Sequence, residues 1–345
     1  MKYVDFDPKA YLPVGYYPWP DLINDNVEEM GPEEARWIDT DFSFVSENIR
    51  DKYKRVRLYN VTSRMLPHLT REQLLPCVRT LFWHTFIDDQ YEHLPVSELK
   101  KLRKRIVAIM QGDRVLPKES GLFRQIAQSG REFNAFAPQE WMERQIDAFD
   151  EYLRFGVEEE VYYRKSNKLP TMANYSLFRE YSIGMYPYYN SVEIGLGFPF
   201  HASLSRHPVI QQARRLASRI TIWENDIHSL RKDLYTERET LNAVFVLQNE
   251  YDISLDDALA EVMRIHDREV AELVSLQNDV GSFSGKERDD IKEYILRMGT
   301  AIQGINTFYS LEPQRYVVTA GFPWPDAEPL KLRNIKETRE AQSER

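Results

Sequence analysis

The sequence contains a single cysteine, Cys77, and has no run of about 18 apolar residues. One cysteine excludes an internal disulfide framework and suits a reducing compartment, so we expect its side chain to be buried. The N-terminal stretch also lacks a basic start followed by an apolar run and a cleavage site. These absences predict a cytoplasmic protein without a membrane-spanning helix.

Positive charge is in deficit, since the formal net charge is −9. A chain with this balance offers no basic surface for nucleic acid or for anionic lipid, and neither is expected as a partner. An anionic substrate would therefore have to meet local positive charge or metal ions.

Glycine is scarce, with 14 residues, and runs of β-branched residues are short. Long segments instead carry apolar residues at spacings of three and four, which predicts amphipathic helices. We expect an all-α, single-domain protein with about ten to twelve helices. The predicted parts are an extended N-terminal arm at 1–31, a helical domain at 32–326 and a polar C-terminal tail at 327–345.

Two aspartates followed by a glutamate occur twice, as DDQYE at 88–92 and as DDIKE at 289–293. The second copy follows SGKER, which is typical of acids in the first turn of a helix, and we interpret it as structural. The first copy ends the apolar run TLFWHTFI, where buried adjacent carboxylates would need cations. Asp88 and Glu92 lie one helical turn apart, and hard oxygen ligands favour Mg²⁺. From this segment alone, an exposed helix end explains them equally well.

The segment WENDIHSLRKDL places Asn225, Ser229 and Asp233 at intervals of four, and Lys232 follows Asn225 by seven residues. Because each helical residue turns by about 100°, three oxygen ligands and one ammonium group share one stripe. Mg²⁺ is usually held by few protein oxygens together with water and phosphate oxygens. The stripe therefore indicates a metal and phosphate site, and a solvated helix face is the alternative.

Together these motifs resemble those of the microbial, bacterial-type class I terpene synthases, also called cyclases. Residues 88–92 resemble the aspartate-rich motif of that family, and residues 225–233 resemble its second metal motif. Arg179 stands where these enzymes carry the arginine that senses diphosphate. Arg315 and Tyr316 match their terminal Arg-Tyr pair. The resemblance covers nearly the whole chain.

The resemblance implies a helical bundle with a central active-site cavity and three Mg²⁺ ions. Asn225, Ser229 and Asp233 would bind one ion, and Asp88 the other two with Glu92 nearby. The implied metal ligands are Asp88, Glu92, Asn225, Ser229 and Asp233. The side chains implied to bind the diphosphate are Arg179, Lys232, Arg315 and Tyr316.

A helix break is expected after Arg179, because Gly184 and Pro187 follow. By resemblance, Ser182 and Ile183 stand at this break and act with Arg179 in catalysis, the carbonyl of Ile183 pointing at the nascent cation. From the residues alone, a helix bent around the core explains Gly184 and Pro187 as well.

A cavity that holds a carbocation must exclude water, and aromatic faces favour the cation. The aromatic residues expected to line it are Phe82, Phe86, Phe178, Tyr181, Trp223, Phe308 and Tyr309. An ordinary core position is the alternative for each of them. Two positions depart from the family pattern, since Asp233 stands where Glu is usual and Tyr309 where Trp is frequent.

The implied reaction cyclises an isoprenyl diphosphate, farnesyl diphosphate first and geranylgeranyl diphosphate second, to a terpene hydrocarbon or alcohol with release of diphosphate. A homodimer is allowed. A chain-elongating isoprenyl diphosphate synthase is one alternative, although only DDIKE could serve as its second aspartate-rich motif. A non-enzymatic helical adaptor is another. A ferritin-like di-iron bundle is excluded, because no histidine has a glutamate three residues before it.

Overall fold

The computed structural model describes residues 6–91, 94–166, 168–197, 199–235, 241–281 and 283–312. These residues form 15 α-helices and no β-strand, which confirms the all-α prediction. The helices outnumber the ten to twelve predicted, because breaks and short helices divide segments that periodicity treats as continuous. Cys77 is buried, as expected.

In chain order, the first eight helices are α1 (Val27–Asp41), α2 (Glu47–Val56), α3 (Leu58–Met65), α4 (Arg71–Tyr91), α5 (Val96–Met110), α6 (Gly121–Asn134), α7 (Gln139–Glu151) and α8 (Glu158–Ser166). The others are α9 (Met172–Ser182), α10 (Tyr186–Gly195), α11 (Ala202–Ser205), α12 (Pro208–Tyr235), α13 (Ala243–Tyr251), α14 (Leu255–Asn278) and α15 (Gly285–Leu311). A 3₁₀-helix covers Pro8–Ala10, and a π-helix, Tyr152–Val157, joins α7 to α8.

The N-terminal arm lies against the helices. Trp19 is buried, and its indole N–H donates to Gln277 on α14 at 2.9 Å. Gly299 on α15 makes room for it, because a Cβ there would lie 2.3 Å from the indole ring. The first α-helix begins at Val27, within the range predicted to be extended.

Helix α12 joins the two hydrophobic clusters that the described residues form. It starts at Pro208, which needs no N–H partner in the first turn of a helix. Its first half packs in the larger cluster through residues such as Ile220, and its second half packs with α9, α13 and α14 through Ile227 and Leu234. This second half also carries the predicted metal stripe.

The helix break predicted after Arg179 is present, since α9 ends at Ser182 and α10 begins at Tyr186. Gly184 has φ +70°, a conformation that favours glycine. A Cβ on Gly184 would lie 2.1 Å from the His84 ring, and a Cβ on Gly156 of the π-helix would lie 2.6 Å from the Ser182 backbone. Two glycines thus let α4 and the π-helix approach the break closely.

Candidate metal and diphosphate site

The predicted stripe on α12 is mostly buried. Ser229 and Asp233 are 5% and 2% exposed, and the Ser229 hydroxyl donates to Asp233 Oδ2 at 2.6 Å. Lys232 Nζ lies 3.2 Å from Asp233 Oδ1. This burial excludes a solvated face at Ser229 and Asp233, whose oxygen atoms meet with the Lys232 ammonium group beside them, while Asn225 is partly buried.

Asn242 also belongs to this cluster and was not predicted. It is fully buried at the N-cap of α13, where its Oδ1 accepts from the Val244 N–H at 3.0 Å. Its Nδ2 donates to Asp233 Oδ2 at 3.0 Å and to the Asp226 carbonyl at 2.8 Å. Asparagine before the apolar run AVFVL is a signal for a helix start, but it does not reveal the contact with Asp233.

The structure places Arg179 beside the stripe, although it precedes Asn225 by 46 residues. Its Nη2 lies 3.4 Å from Asn225 Oδ1 and 3.6 Å from Asp226 Oδ1. Its Nη1 donates to Glu160 Oε1 at 2.9 Å and to the Ser182 hydroxyl at 3.1 Å. Its buried Nε–H has no hydrogen-bond partner within the described part of the chain.

Glu160 on α8 is a second unpredicted member. It is 2% exposed, accepts from Arg164 at 3.1 Å and from Arg179, and also accepts a short hydrogen bond from Ser182. Burial opposes ionisation, but the two guanidinium groups outweigh it and hold the pKa of Glu160 below its ordinary value. The sequence offers three consecutive glutamates at 158–160 and no sign of which one faces Arg179.

Asp226, next to the predicted ligand Asn225, is 1% exposed. It accepts from the Tyr175 hydroxyl at 2.7 Å and from the Ala243 N–H at 2.9 Å. Burial raises the pKa of Asp226 to about 7, and the nearby Arg179 guanidinium limits the increase. Asp226 therefore connects α9, α12 and α13 beneath the stripe.

The aspartate-rich motif lies at the C-terminal end of α4, where Asp88 and Asp89 are partly buried. Asp89 accepts from the Tyr53 hydroxyl at 2.9 Å, and Lys52 Nζ lies 3.9 Å away. Glu92 lies outside the described residues. Arg315 and Tyr316 lie outside them as well.

Three of the seven predicted aromatic residues, Phe82, Phe86 and Trp223, make contacts within the core. Phe82 and Phe86 each pack 4.7 Å from the Phe42 ring, and the Trp223 indole N–H donates to Glu269 at 2.7 Å. Such contacts are those of ordinary core residues.

Phe178 and Tyr181 pack on the rings of Tyr163 and Phe155, both at 5.3 Å. Phe308 and Tyr309 lie on α15, and the Tyr309 hydroxyl accepts from Asn225 Nδ2 at 2.9 Å. Of the seven aromatic side chains, Tyr309 is thus the one for which the structure shows a contact with the predicted metal stripe. Cavity lining stays a prediction for all seven.

A pocket of about 370 Å³ lies between the C-terminal ends of α5 and α6 and the first turns of α7. Met110, Asn134, Met142 and Asp147 are among its lining residues, and none of the predicted site residues is. Within the described ranges, no group of three or more His, Cys, Asp or Glu side chains is placed to hold a metal. The α12 stripe differs from such a group because two of its three ligands would be Asn and Ser.

Residues 79–272, more than half of the chain, match the family model described as terpene synthase family 2, C-terminal metal binding. The chain belongs to the terpene synthase family. The resemblance inferred from the motifs is thereby confirmed, and membership implies an enzyme with a divalent metal cofactor. The chain-elongating and adaptor alternatives are not favoured.

This terpene synthase is 26% identical to (+)-T-muurolol synthase of Roseiflexus castenholzii, which cyclises (2E,6E)-farnesyl diphosphate, over 92% of this chain and 96% of that one. It is 23% identical to germacrene A synthase of Nostoc punctiforme, over 87% and 94% of the two chains. The crystal structure of α-eudesmol synthase has the same fold, with a TM-score of 0.75 and 20% identity over 85% of this chain and 97% of that one. No helix within the described ranges is both long and apolar enough to cross a membrane.

Proposed function

We propose that this terpene synthase uses Mg²⁺ to cyclise farnesyl diphosphate to a sesquiterpene hydrocarbon or alcohol, with release of diphosphate. The observation that carries the proposal is the buried Arg179 guanidinium beside the α12 stripe, with its Nε–H lacking an acceptor among the described residues. A buried donor without an acceptor costs roughly 1–3 kcal/mol. An anion with several oxygens, such as diphosphate, would satisfy it. The substrate of the T-muurolol synthase relative supports the C15 chain length.

The side chains of the stripe fit Mg²⁺. Asn225, Ser229 and Asp233 offer amide, hydroxyl and carboxylate oxygens, the hard ligands that this ion prefers. We propose that they hold one ion and that Asp88, with Glu92, holds two more; the total of three rests on the family resemblance. When bound, the ions neutralise the charge that develops on the departing diphosphate.

Arg179 and Lys232 would bind and orient the diphosphate through charge-assisted hydrogen bonds, joined by Arg315 and Tyr316. To do so, Arg179 must exchange at least part of its contact with Glu160. Ser182 donates to the same Glu160 oxygen, Oε1. A movement of Arg179 would therefore reach the helix break at 183–185, where the Ile183 carbonyl is proposed to face the cation.

The test is to incubate the pure protein with C10, C15 and C20 isoprenyl diphosphates and Mg²⁺, and to analyse the extract by gas chromatography with mass detection. We expect a cyclic C15 product and released inorganic diphosphate from the C15 substrate alone. A longer prenyl diphosphate would contradict the proposal and indicate chain elongation. Absence of Mg²⁺-dependent turnover with every substrate would contradict any synthase activity.

Two variants connect this activity to the site. Arg179→Ala and Asn225→Ala should abolish turnover while leaving the circular dichroism spectrum unchanged. Arg215→Ala is the control, because this α12 arginine is 61% exposed. Near-wild-type rates in both site variants would show that the site is elsewhere.

A further inference from the structure

Tyr309 contacts the metal stripe through its hydroxyl group. It lies on α15, and its hydroxyl accepts a hydrogen bond from Asn225 Nδ2 at 2.9 Å. The contact involves the nitrogen of the Asn225 amide, which cannot ligate a cation, and therefore bears on where the amide oxygen points.

The orientation of the Asn225 amide follows from two described contacts, those with Arg179 and Tyr309. A guanidinium group only donates hydrogen bonds, so the amide atom that faces Arg179 at 3.4 Å must be the oxygen. The nitrogen then faces Tyr309, whose hydroxyl oxygen accepts from it. Rotating the amide by half a turn would bring its N–H groups against the N–H groups of Arg179, so the guanidinium selects the observed orientation. The Tyr309 hydroxyl, which can donate as well as accept, holds the amide group in place.

We propose that Tyr309 is a positioning residue that holds the Asn225 amide with its oxygen directed to the metal and Arg179 side. This inference rests on the proposed function, in which Asn225 Oδ1 is a ligand of Mg²⁺. Removing a side chain that hydrogen-bonds to a metal ligand and orients it typically lowers metal affinity or activity by about 10- to 100-fold.

Tyr309 is itself held in place by neighbours from other parts of the chain. The imidazole of His228 on α12 lies against its ring, with centroids 5.0 Å apart. Asn306 Nδ2 donates to the Pro13 carbonyl at 2.9 Å, so its Oδ1 faces His228 Nε2 at 3.0 Å. The N-terminal arm thus fixes Asn306, which fixes His228, against which Tyr309 packs.

A different role for Tyr309 would be to offer its aromatic face to a carbocation. The two roles depend on different parts of the side chain. Positioning requires the hydroxyl group as a hydrogen-bond partner of Asn225, whereas a cation needs only the ring. Tyr309→Phe and Tyr309→Trp both keep an aromatic ring and remove the hydroxyl, so the two roles predict different results.

The experiment measures thermal stabilisation of the whole protein by Mg²⁺ at a fixed concentration of inorganic diphosphate. We expect both variants to need roughly tenfold more Mg²⁺ for half-maximal stabilisation. Tyr294→Phe is the matched control, since it removes a buried hydroxyl of the same helix that bonds to Arg214 at 2.8 Å, away from the stripe. It should leave the Mg²⁺ requirement unchanged. An unchanged requirement in either folded Tyr309 variant would overturn the proposal.

A second background makes the test specific. In Asn225→Asp the two carboxylate oxygens are equivalent, so the orientation of the group no longer matters and Tyr309→Phe should add little to the Mg²⁺ requirement. A tenfold effect that persists in this background would also overturn the proposal. Failure of the proposed function is distinguishable, because the wild-type protein itself would then show neither stabilisation by Mg²⁺ with diphosphate nor turnover.

Discussion

Residues 88–92 and residues 289–293 share the pattern Asp-Asp-x-x-Glu but lie in different surroundings. The first copy ends the buried helix α4, where the Asp89 side chain is 14% exposed and bonds to Tyr53. The second copy lies near the start of α15, where the Asp289 side chain is 71% exposed. Asp290 pairs there with Lys286, one turn before it. This difference in exposure follows from the preceding residues, which are the apolar run TLFWHTFI for the first copy and the polar run SGKER for the second.

Helix polarity gives this difference a physical meaning. Carboxylates near a helix N-terminus are stabilised by the partial positive charge there, whereas carboxylates at a C-terminus face partial negative charge. Asp289 lies just beyond the first turn in which it was predicted, where this stabilisation is weaker, but its charge is exposed to water and lies 3.6 Å from Arg288 Nε. Asp88 and Asp89 depend on cations, which Lys52 and the proposed metal ions would supply.

Replacing one aspartate of each copy tests the comparison most directly. We expect Asp88→Ala to lower kcat/KM by at least about 10²–10³-fold, because a group that binds the charged transition state is lost. Asp289→Ala should leave kcat/KM unchanged. Steady-state kinetics with farnesyl diphosphate measures both, and equal effects in the two variants would show that context does not separate the copies.

The comparison of buried and exposed carboxyl groups extends to groups that are not predicted metal ligands, here Glu34 and Asp289. Glu34 on α1 is 1% exposed, and burial raises its pKa to about 8, against the opposing effect of the Tyr59 and Leu58 N–H groups. Because the folded protein binds this proton more tightly than the unfolded chain, the free energy of unfolding should fall as pH rises from about 5 to 8, by a few kcal/mol. Urea unfolding at several pH values measures this.

Glu34→Gln should remove most of that decrease, because the neutral amide has no proton to lose. The exposed Asp289→Asn serves as the control and should keep the wild-type profile. An identical pH profile in Glu34→Gln and in the wild type would contradict the expectation.

A smaller effect is expected from replacing Asn242, which is not a proposed metal ligand but donates a hydrogen bond to the proposed ligand Asp233. Asn242→Ala removes the donor to Asp233 and should raise the Mg²⁺ requirement by about 10-fold or more. Ser254→Ala is the matched control, because Ser254 caps α14 in the same way without touching the stripe. Equal Mg²⁺ requirements in the two variants would mean that Asn242 acts only as a helix cap.

The smallest effect is expected from Asp233→Glu, which restores the residue usual in the family. Ser229 and Asn242 both bind Asp233 Oδ2, at 2.6 and 3.0 Å, so these partners are placed for the shorter side chain. We expect kcat to fall by only a few-fold, on the scale of a strained contact. An increase in kcat would show instead that the aspartate limits metal binding.

The helices, the break after Arg179 and the family were predictable because each depends on local patterns: apolar periodicity, a Gly and Pro pair, and short motifs. Asn242 and Glu160 were not, for different reasons. The contact of Asn242 with Asp233 requires the chain to return after α12, and no residue type signals that return. Glu160 could not be singled out because the apolar periodicity of 138–164 is that of one continuous helix, whereas the structure contains a π-helix within this range.

That π-helix determines which residues of α7 and α8 lie on the same face, such as Asp150 and Glu158, which both contact Arg103. Residues eight apart in an ordinary α-helix differ by about 80° in direction, yet Arg103 binds both Asp150 at 2.6 Å and Glu158 at 3.0 Å. The wider π turn takes up one extra residue and restores the alignment. Deleting one residue between 152 and 157 would rotate α8 by about 100° relative to α7. The length of this segment therefore decides which of three adjacent glutamates meets Arg179.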